Sequence, residues 1–173
     1  MQMTIKKIAA MAVLTAVALI IFIVEAQIPL PIAIPGVKLG LANSVTLFAL
    51  FYGRGKERSA TSFTAVDVFL IFICRIMLGA ILTGRIVTII YSFTGGLLAF
   101  AAQVLVRKLV TNKQVWVCGA AGAVFHNIGQ IVAAAVVTGT PAIAAYLPML
   151  IIAGVMTGVL TGLIAQYTLD RLP

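Results

Sequence analysis

The chain alternates between long apolar stretches and short segments that carry most of its polar, glycine and proline residues. A helix needs about 20 predominantly apolar residues to cross the hydrocarbon core of a bilayer. By that criterion the pattern predicts six membrane-spanning helices, near residues 7–27, 37–53, 60–83, 86–107, 115–137 and 144–168. The second is the shortest, and it follows "IPLPIAIPG" (28–36), whose prolines and glycine interrupt regular helix. The pattern therefore predicts an all-α integral membrane protein, with residues 1–173 forming a single six-helix domain.

Composition agrees with a membrane protein. Hydrophobic residues make up 62% of the 173 residues and charged residues 9%, whereas about a quarter of a soluble domain is charged. The net charge is +8, but the basic residues lie in short segments between apolar stretches rather than on one continuous face. We therefore expect a multi-pass protein of the cell membrane, in contact with the lipid bilayer and without a nucleic-acid partner.

The distribution of basic residues predicts the orientation of the helices. If the N-terminus is cytoplasmic, the inside segments carry nine lysines and arginines and the outside segments carry two, Lys38 and Arg85. An excess of basic residues on the cytoplasmic side follows the positive-inside rule. The N- and C-termini are therefore both predicted to be cytoplasmic.

The fifth helix carries the chain's only histidine, His126, on a face of small residues. Positions alternately three and four apart share one face of a helix, and here they are Gly119, Gly122, His126, Gly129 and Ala133. Gln130 follows His126 one turn later, and Asn127 lies about 100° around the helix. These polar side chains either hydrogen-bond neighbouring helices or form a ligand or proton site, since ionisable groups inside a membrane are costly and tend to be functional.

Helix 3 places two charged residues, Asp67 and Arg75, inside the membrane. At 1.5 Å per residue, Asp67 is predicted about 12 Å and Arg75 about 24 Å from the cytoplasmic end, too far apart to pair directly. Arg75 in the outer half needs an anionic or carbonyl partner, and Glu25 at the outer end of helix 1 is the obvious candidate. Arg75 therefore either forms a structural ion pair with Glu25 or contacts an anionic group of a ligand.

The stretch "PGVKLGLAN" (35–43) places Lys38 and Asn43 at the outer start of helix 2. A helix N-terminus favours anions, although Lys38 could equally reach to the surface from an ordinary helix entry. Together these polar positions predict an outward-facing pocket with a mainly basic lining, for a small or amphiphilic molecule with a negative or strongly polar head. The predicted substrate-binding residues are Glu25, Lys38, Asn43, Arg75, His126, Asn127 and Gln130.

Two rows of small residues concern helix packing. Helix 6 carries Gly154, Gly158 and Gly162, a doubled GxxxG row that lets helices cross closely. Helix 1 carries Ala12 and Ala16, an AxxxA pattern. Each row is suited to packing inside the molecule, and the helix 1 row is equally suited to docking another membrane subunit.

Three stretches together resemble the Gx transporter family, which is often labelled heptaprenyl diphosphate synthase component I. They are "VEAQIPLPIAIPGVKLGLANSVTLFAL" (24–50), "RIMLGAILTGRIVTIIYSFTGG" (75–96) and "GAVFHNIGQIVAAA" (122–135). That family is in turn similar to the S components of energy-coupling factor importers, which are six-helix membrane proteins. The resemblance implies an S-component-like bundle that binds a vitamin or similar small molecule from outside. It also implies an energy-coupling-factor-type transmembrane and ATPase module as partner, docked through Ala12 and Ala16.

The synthase label conflicts with the chemistry of the chain. Prenyl diphosphate synthases hold magnesium against diphosphate with aspartate-rich motifs, whereas this chain has four acidic residues, no two of them adjacent. We therefore expect no catalysis, no metal and no cofactor.

Three functions fit the sequence, and each predicts a different interior. A transporter or its substrate-binding subunit would have an outward pocket containing Arg75 and His126. A non-catalytic membrane accessory protein of isoprenoid or quinone biosynthesis would have a groove open to lipid along a helix pair. A purely structural subunit would have a core closed by side chains throughout.

Overall fold

The structure, a computed structural model, describes residues 4–28, 39–52, 62–84 and 86–172. Within these residues the chain is helical, as the sequence predicts. The α-helices are α1 (Ile5–Glu25), α2 (Asn43–Phe51), α3 (Ala65–Thr83), α4 (Ile86–Val106), α5 (Val115–Thr138) and α6 (Leu147–Arg171). Two short 3₁₀ helices, Asn112–Gln114 and Pro141–Tyr146, precede α5 and α6.

Five of the described helical segments are long and apolar enough to cross a membrane, which confirms the membrane class. The exception is α2, whose nine residues span about 13 Å, less than half of a hydrocarbon core of about 30 Å. The predicted helix over 37–53 is wrong for residues 39–42, which form a turn. The turn arises because Gly40 has a φ of 80°, a left-handed conformation that ends regular helix and that glycine adopts readily.

The start of α3 also differs from the prediction. Thr64 caps the helix: its side chain accepts from the Asp67 N–H, while the Asp67 carboxylate accepts from the Thr64 N–H at 2.6 Å. This reciprocal arrangement is a capping box, and it fixes Ala65 as the first helical residue. Asp67 therefore lies in the first turn of α3 and not about 12 Å from the helix end.

α1 and α3 run parallel to each other. Lys7 near the start of α1 contacts Asp67 near the start of α3, and Phe22 near the end of α1 lies against Gly79 near the end of α3. The starts of α1 and α3 therefore lie at one end of the bundle and their ends at the other.

α4, α5 and α6 form the tightly packed part of the bundle, and glycines bring their backbones together. A Cβ atom on Gly129 of α5 would lie 2.7 Å from the Cα of Gly95 in α4. A Cβ on Gly158 of α6 would lie 2.6 Å from the carbonyl oxygen of Gly119 in α5. The glycine row of α6 therefore packs against α5 inside the molecule, as small residues do where membrane helices cross closely.

Candidate functional site

The segment before α2 folds against the middle of α5. The Asn43 N–H donates to the Gly40 carbonyl at 2.9 Å, which closes a turn immediately before the helix. Gly40 lies against the His126 ring, since a Cβ atom at Gly40 would be 2.7 Å from His126 Cδ2. Only glycine meets both demands of this position, a positive φ and close approach to a ring. α2 consequently begins beside the histidine of α5.

Glu25, the last residue of α1, is buried at this turn. Its carboxylate accepts hydrogen bonds from the N–H groups of Gly40 and Ala42, the latter at 3.4 Å, and the residue is only 4% exposed. The acidic side chain therefore satisfies backbone donors that precede the N-terminus of α2, in the manner of an N-terminal cap.

Asn43 joins α3 to α5 through both ends of its amide. Its Oδ1 accepts from Arg75 Nη2 at 3.1 Å, and its Nδ2 lies 3.1 Å from His126 Nδ1. Because arginine can only donate, the amide oxygen must face Arg75 and the amide NH₂ must face the histidine. His126 Nδ1 is then an acceptor, so the ring is neutral and carries its proton on Nε2.

Arg75 is 4% exposed and lies between these groups. Its guanidinium carbon is 5.6 Å from the centre of the Phe72 ring, a favourable cation–π distance. The Nε atom has no hydrogen-bond partner among the described residues. A buried arginine with an unused donor is able to bind one further acceptor in this cavity.

These groups surround one small cavity that five helices share. Its lining residues are Phe22, Glu25, Gly40, Asn43, Arg75, Ser92, His126 and Gln130. The free volume is about 10 Å³, enough for about one water molecule. The cavity is therefore polar and contracted, and it must widen to admit anything larger than water.

The cavity contains five of the seven predicted substrate-binding residues. Asn127 does not line it. This residue is 1% exposed and donates to the Leu150 carbonyl of α6. It therefore forms a hydrogen bond to a neighbouring helix, the alternative to a ligand site that the sequence left open. Lys38 lies outside the described residues. The predicted docking residues Ala12 and Ala16 lie on the exposed face of α1.

Three lining residues, Phe22, Gly40 and Ser92, were not predicted from the sequence. Phe22 is one apolar residue in an apolar helix, and Ser92 is one of several hydroxyl-bearing residues of α4, so no spacing rule singles either of them out. Gly40 lies in the "PGVKLGLAN" stretch (35–43). A glycine just before a helix is a signal for a turn or a close approach of the backbone, and it could have identified this residue.

A buried ion pair that was not predicted from the sequence lies at the opposite end of α1. Lys7 Nζ lies 2.6 Å from Asp67 Oδ2, and the two side chains are 8% and 0% exposed. The same carboxylate oxygen accepts from the Thr64 hydroxyl at 2.6 Å, while Oδ1 has no hydrogen-bond partner within the described part of the chain. α1 is thus held to the bundle by a charged residue at each of its ends.

A second concavity opens sideways between α1, α2 and α6. Its free volume is about 250 Å³, and its lining residues are Leu14, Val17, Ser44, Val45, Phe48, Thr161, Ile164, Ala165 and Thr168. The hydroxyls of Thr161 and Thr168 donate to carbonyls of their own helix. This lateral groove consequently offers a mainly apolar wall, to which Ser44 adds one hydroxyl group.

Comparison with known proteins relates the chain to one family. The family described as heptaprenyl diphosphate synthase component I matches residues 14–168, a range that includes every residue lining the polar cavity. Neither the curated proteins nor the solved structures include a match. Within the described ranges, no group of three or more His, Cys, Asp or Glu side chains is arranged to hold a metal ion.

Proposed function

We propose that this chain, which belongs to the heptaprenyl diphosphate synthase component I family, is a membrane transporter or the substrate-binding subunit of one. Its ligand is a small anionic or amphiphilic molecule, bound in the polar cavity. The observation that carries the proposal is the buried Arg75, which Asn43 orients and whose Nε has no described partner.

The charge and the donors of the cavity support an anionic ligand. Arginine binds carboxylate and phosphate groups through several N–H groups at once. Gly40, whose N–H donates to the Glu25 carboxylate, lies on another wall of the same cavity. An ionised side chain inside a membrane is costly, and such side chains commonly mark ligand or ion pathways. A purely structural bundle would be easier to build with an apolar residue at position 75.

The three acidic residues that the structure describes support a role without catalysis; the fourth, Glu57, lies outside the described residues. Asp67 is engaged by Lys7 and Thr64, and Glu25 by backbone N–H groups. Asp170 is exposed near the end of α6. These carboxylates are dispersed, whereas holding magnesium against a diphosphate requires several oxygen ligands at one place. The family description, a component I of a synthase, also suggests a non-catalytic subunit.

The proposal includes the finer topology. Six segments cross the membrane, α2 forming only part of the second crossing; both termini are cytoplasmic, and the cavity is reached from outside. The exposed face of α1 that carries Ala12 and Ala16 docks a transmembrane coupling subunit of the energy-coupling factor type. The supporting observation is that this face contacts no other described part of the chain closely enough to be buried.

The lateral groove favours a second candidate function. An apolar groove along α1, α2 and α6 suits the hydrocarbon chain of an isoprenoid or quinone. The protein would then be a non-catalytic membrane accessory of isoprenoid or quinone biosynthesis, and the groove rather than the polar cavity would hold its ligand.

Mass spectrometry of small molecules and lipids that copurify with the protein distinguishes these functions. We expect a small polar or amphiphilic molecule with wild type and with Arg171→Ala, but none with Arg75→Ala. Arg171 is the matched control, because it is an arginine outside the cavity, stacked 4.3 Å from the Tyr167 ring. Thermal unfolding of each variant establishes that Arg75→Ala still folds.

Two results would argue against transport through the polar cavity. If Arg75→Ala fails to fold while Asn43→Ala folds and retains the molecule, Arg75 has a structural role only. If an isoprenoid copurifies with Arg75→Ala but not with Val17→Trp, which fills the lateral groove, the accessory function is correct.

A further inference from the structure

The polar cavity and the lateral groove meet at the start of α2. Asn43, the first residue of this helix, lines the polar cavity, and Ser44, the next residue, lines the groove. Consecutive residues of a helix point about 100° apart, so the cavity and the groove lie on neighbouring sides of the same helical turn. The start of α2 is therefore a wall that they share.

α1 is the second wall that the cavity and the groove share. Phe22 and Glu25 line the polar cavity, whereas Leu14 and Val17 line the groove. At 1.5 Å per residue, Val17 lies about 7.5 Å and Leu14 about 12 Å from Phe22 along the helix axis. The groove therefore begins beside the cavity and extends toward the first residues of α1.

α2 gives the same order as α1. Val45 and Phe48 of the groove follow Asn43 of the cavity along this helix. In the proposed topology α1 begins and α2 ends toward the cytoplasm, so both helices place the groove on the cytoplasmic side of the cavity. A molecule that occupied both would have its head toward the outside and its chain toward the middle of the bilayer. That is the orientation of an amphiphile in the outer leaflet.

The cavity and the groove differ in charge and in volume, and each supplies what the other lacks. The groove has a free volume of about 250 Å³, and none of the described residues that line it is charged. The polar cavity contains the buried guanidinium of Arg75, but its free volume is about 10 Å³. Because a charged group is costly in an apolar environment, an anionic head suits the cavity, and a hydrocarbon chain suits the groove.

We propose that the polar cavity and the lateral groove form one binding site for an anionic amphiphile with a single hydrocarbon chain. This inference rests on the proposed function, because it takes the polar cavity as the site of the anionic group. A compact head, a carboxylate or a phosphate, pairs with Arg75. The chain leaves the cavity past Ser44 and lies in the groove between α1 and α6. Displacement of the start of α2 widens the cavity and joins it to the groove, since this turn is a wall of both.

Two phosphate monoesters of different chain length test the inference. Methyl phosphate reaches only the polar cavity, whereas octyl phosphate is long enough to enter the groove. Their dissociation constants are measured at one fixed pH by calorimetric titration of the full chain in micelles of a nonionic detergent. Each ester is compared between variants in the same micelles, so that partition of the octyl chain into the micelle cancels. Octyltrimethylammonium has the same chain with a cationic head, and we expect it not to bind.

Val17→Trp and Ile164→Trp each place an indole ring in the groove, one from α1 and one from α6. We expect each to raise the ratio of the octyl phosphate dissociation constant to the methyl phosphate dissociation constant by about tenfold or more, because the chain then overlaps the ring. Val136→Trp is the matched control and should keep the wild-type ratio. Val136 is 77% exposed and belongs to α5, which contributes no residue to the described lining of the groove.

Arg75→Ala should abolish binding of both esters, and thermal unfolding establishes that each variant folds. The inference is overturned if neither groove variant raises the ratio above that of Val136→Trp. Arg75-dependent binding of methyl phosphate would in that case leave the proposed function intact. The inference is also overturned if both groove variants weaken methyl phosphate as strongly as octyl phosphate, or if octyltrimethylammonium binds as tightly as octyl phosphate.

Two further outcomes would count against the proposed function as well. Octyl phosphate binding that both groove variants abolish and that Arg75→Ala preserves would overturn the shared site and favour the accessory function. Absence of binding of both esters to the wild-type protein would overturn the anion site and the inference together.

Discussion

The Lys7–Asp67 ion pair allows a stability prediction that is independent of any ligand. Lys7→Met would leave the Asp67 carboxylate fully buried, with only the Thr64 groups to satisfy it. Removing one partner of a buried ion pair costs about 3–5 kcal/mol. Asp67→Asn should cost less, about 1 kcal/mol, the scale of a weakened N-cap. The cost is smaller because Lys7, which loses its partner in Asp67→Asn, lies in the first turn of α1 and can extend its flexible side chain to the membrane–water interface.

The assay is reversible unfolding in mixed micelles, carried out as a double-mutant cycle. The double variant Lys7→Met with Asp67→Asn should be destabilised less than the sum of the single variants, by about 2 kcal/mol. Lys6→Met is the matched control, because Lys6 is the neighbouring, exposed lysine. If Lys7→Met costs no more than Lys6→Met, the ion pair does not hold α1 to the bundle and the reasoning is refuted.

Two further predictions concern Gly40 and the outer face of α1. Gly40→Ala should weaken ligand binding at least tenfold, because the new methyl group meets the His126 ring. Gly84→Ala is the matched control, because Gly84 also has a positive φ but no heavy atom lies within 4 Å of its added Cβ. This control should lose about 1 kcal/mol of stability with no effect on binding. Equal binding by the two glycine variants in the copurification assay would contradict this. Ala12→Leu combined with Ala16→Leu should retain binding and lose coupling to a partner subunit, measured as uptake in vesicles; a loss of binding as well would identify the row as internal packing.

Long apolar stretches with helical spacing of small residues were sufficient to predict the long helices. α5 and α6 are set by apolar length and by small residues at helical spacing, which are local properties of the sequence. The start of α2 was not predictable in this way. The turn at Gly40 depends on contact with His126, which is 86 positions away in the chain, and no local pattern records that contact.

The candidate site was predictable in its residue types but not in its bonds. The sequence indicated Glu25, Asn43, Arg75 and His126 because ionisable and amide groups are conspicuous in apolar helices. The partners of Glu25 are backbone N–H groups, which have no signature in a sequence. Asn127 was assigned to the pocket by proximity to His126, although one residue of helix rotates a side chain by about 100°, here toward α6.

The glycine contacts of α4, α5 and α6 restrict where the molecule can deform. A Cβ on Gly95 would lie 2.8 Å from the His126 carbonyl oxygen, and one on Gly162 would lie 2.5 Å from the Trp116 Cα. Backbones this close resist sliding or compression, because backbone atoms that cannot change rotamer are in contact at these points. α1, by contrast, is anchored near its two ends and leaves much of its length exposed. Widening of the cavity therefore falls on α1, α2 and α3, with α4–α6 as the stationary wall against which they move.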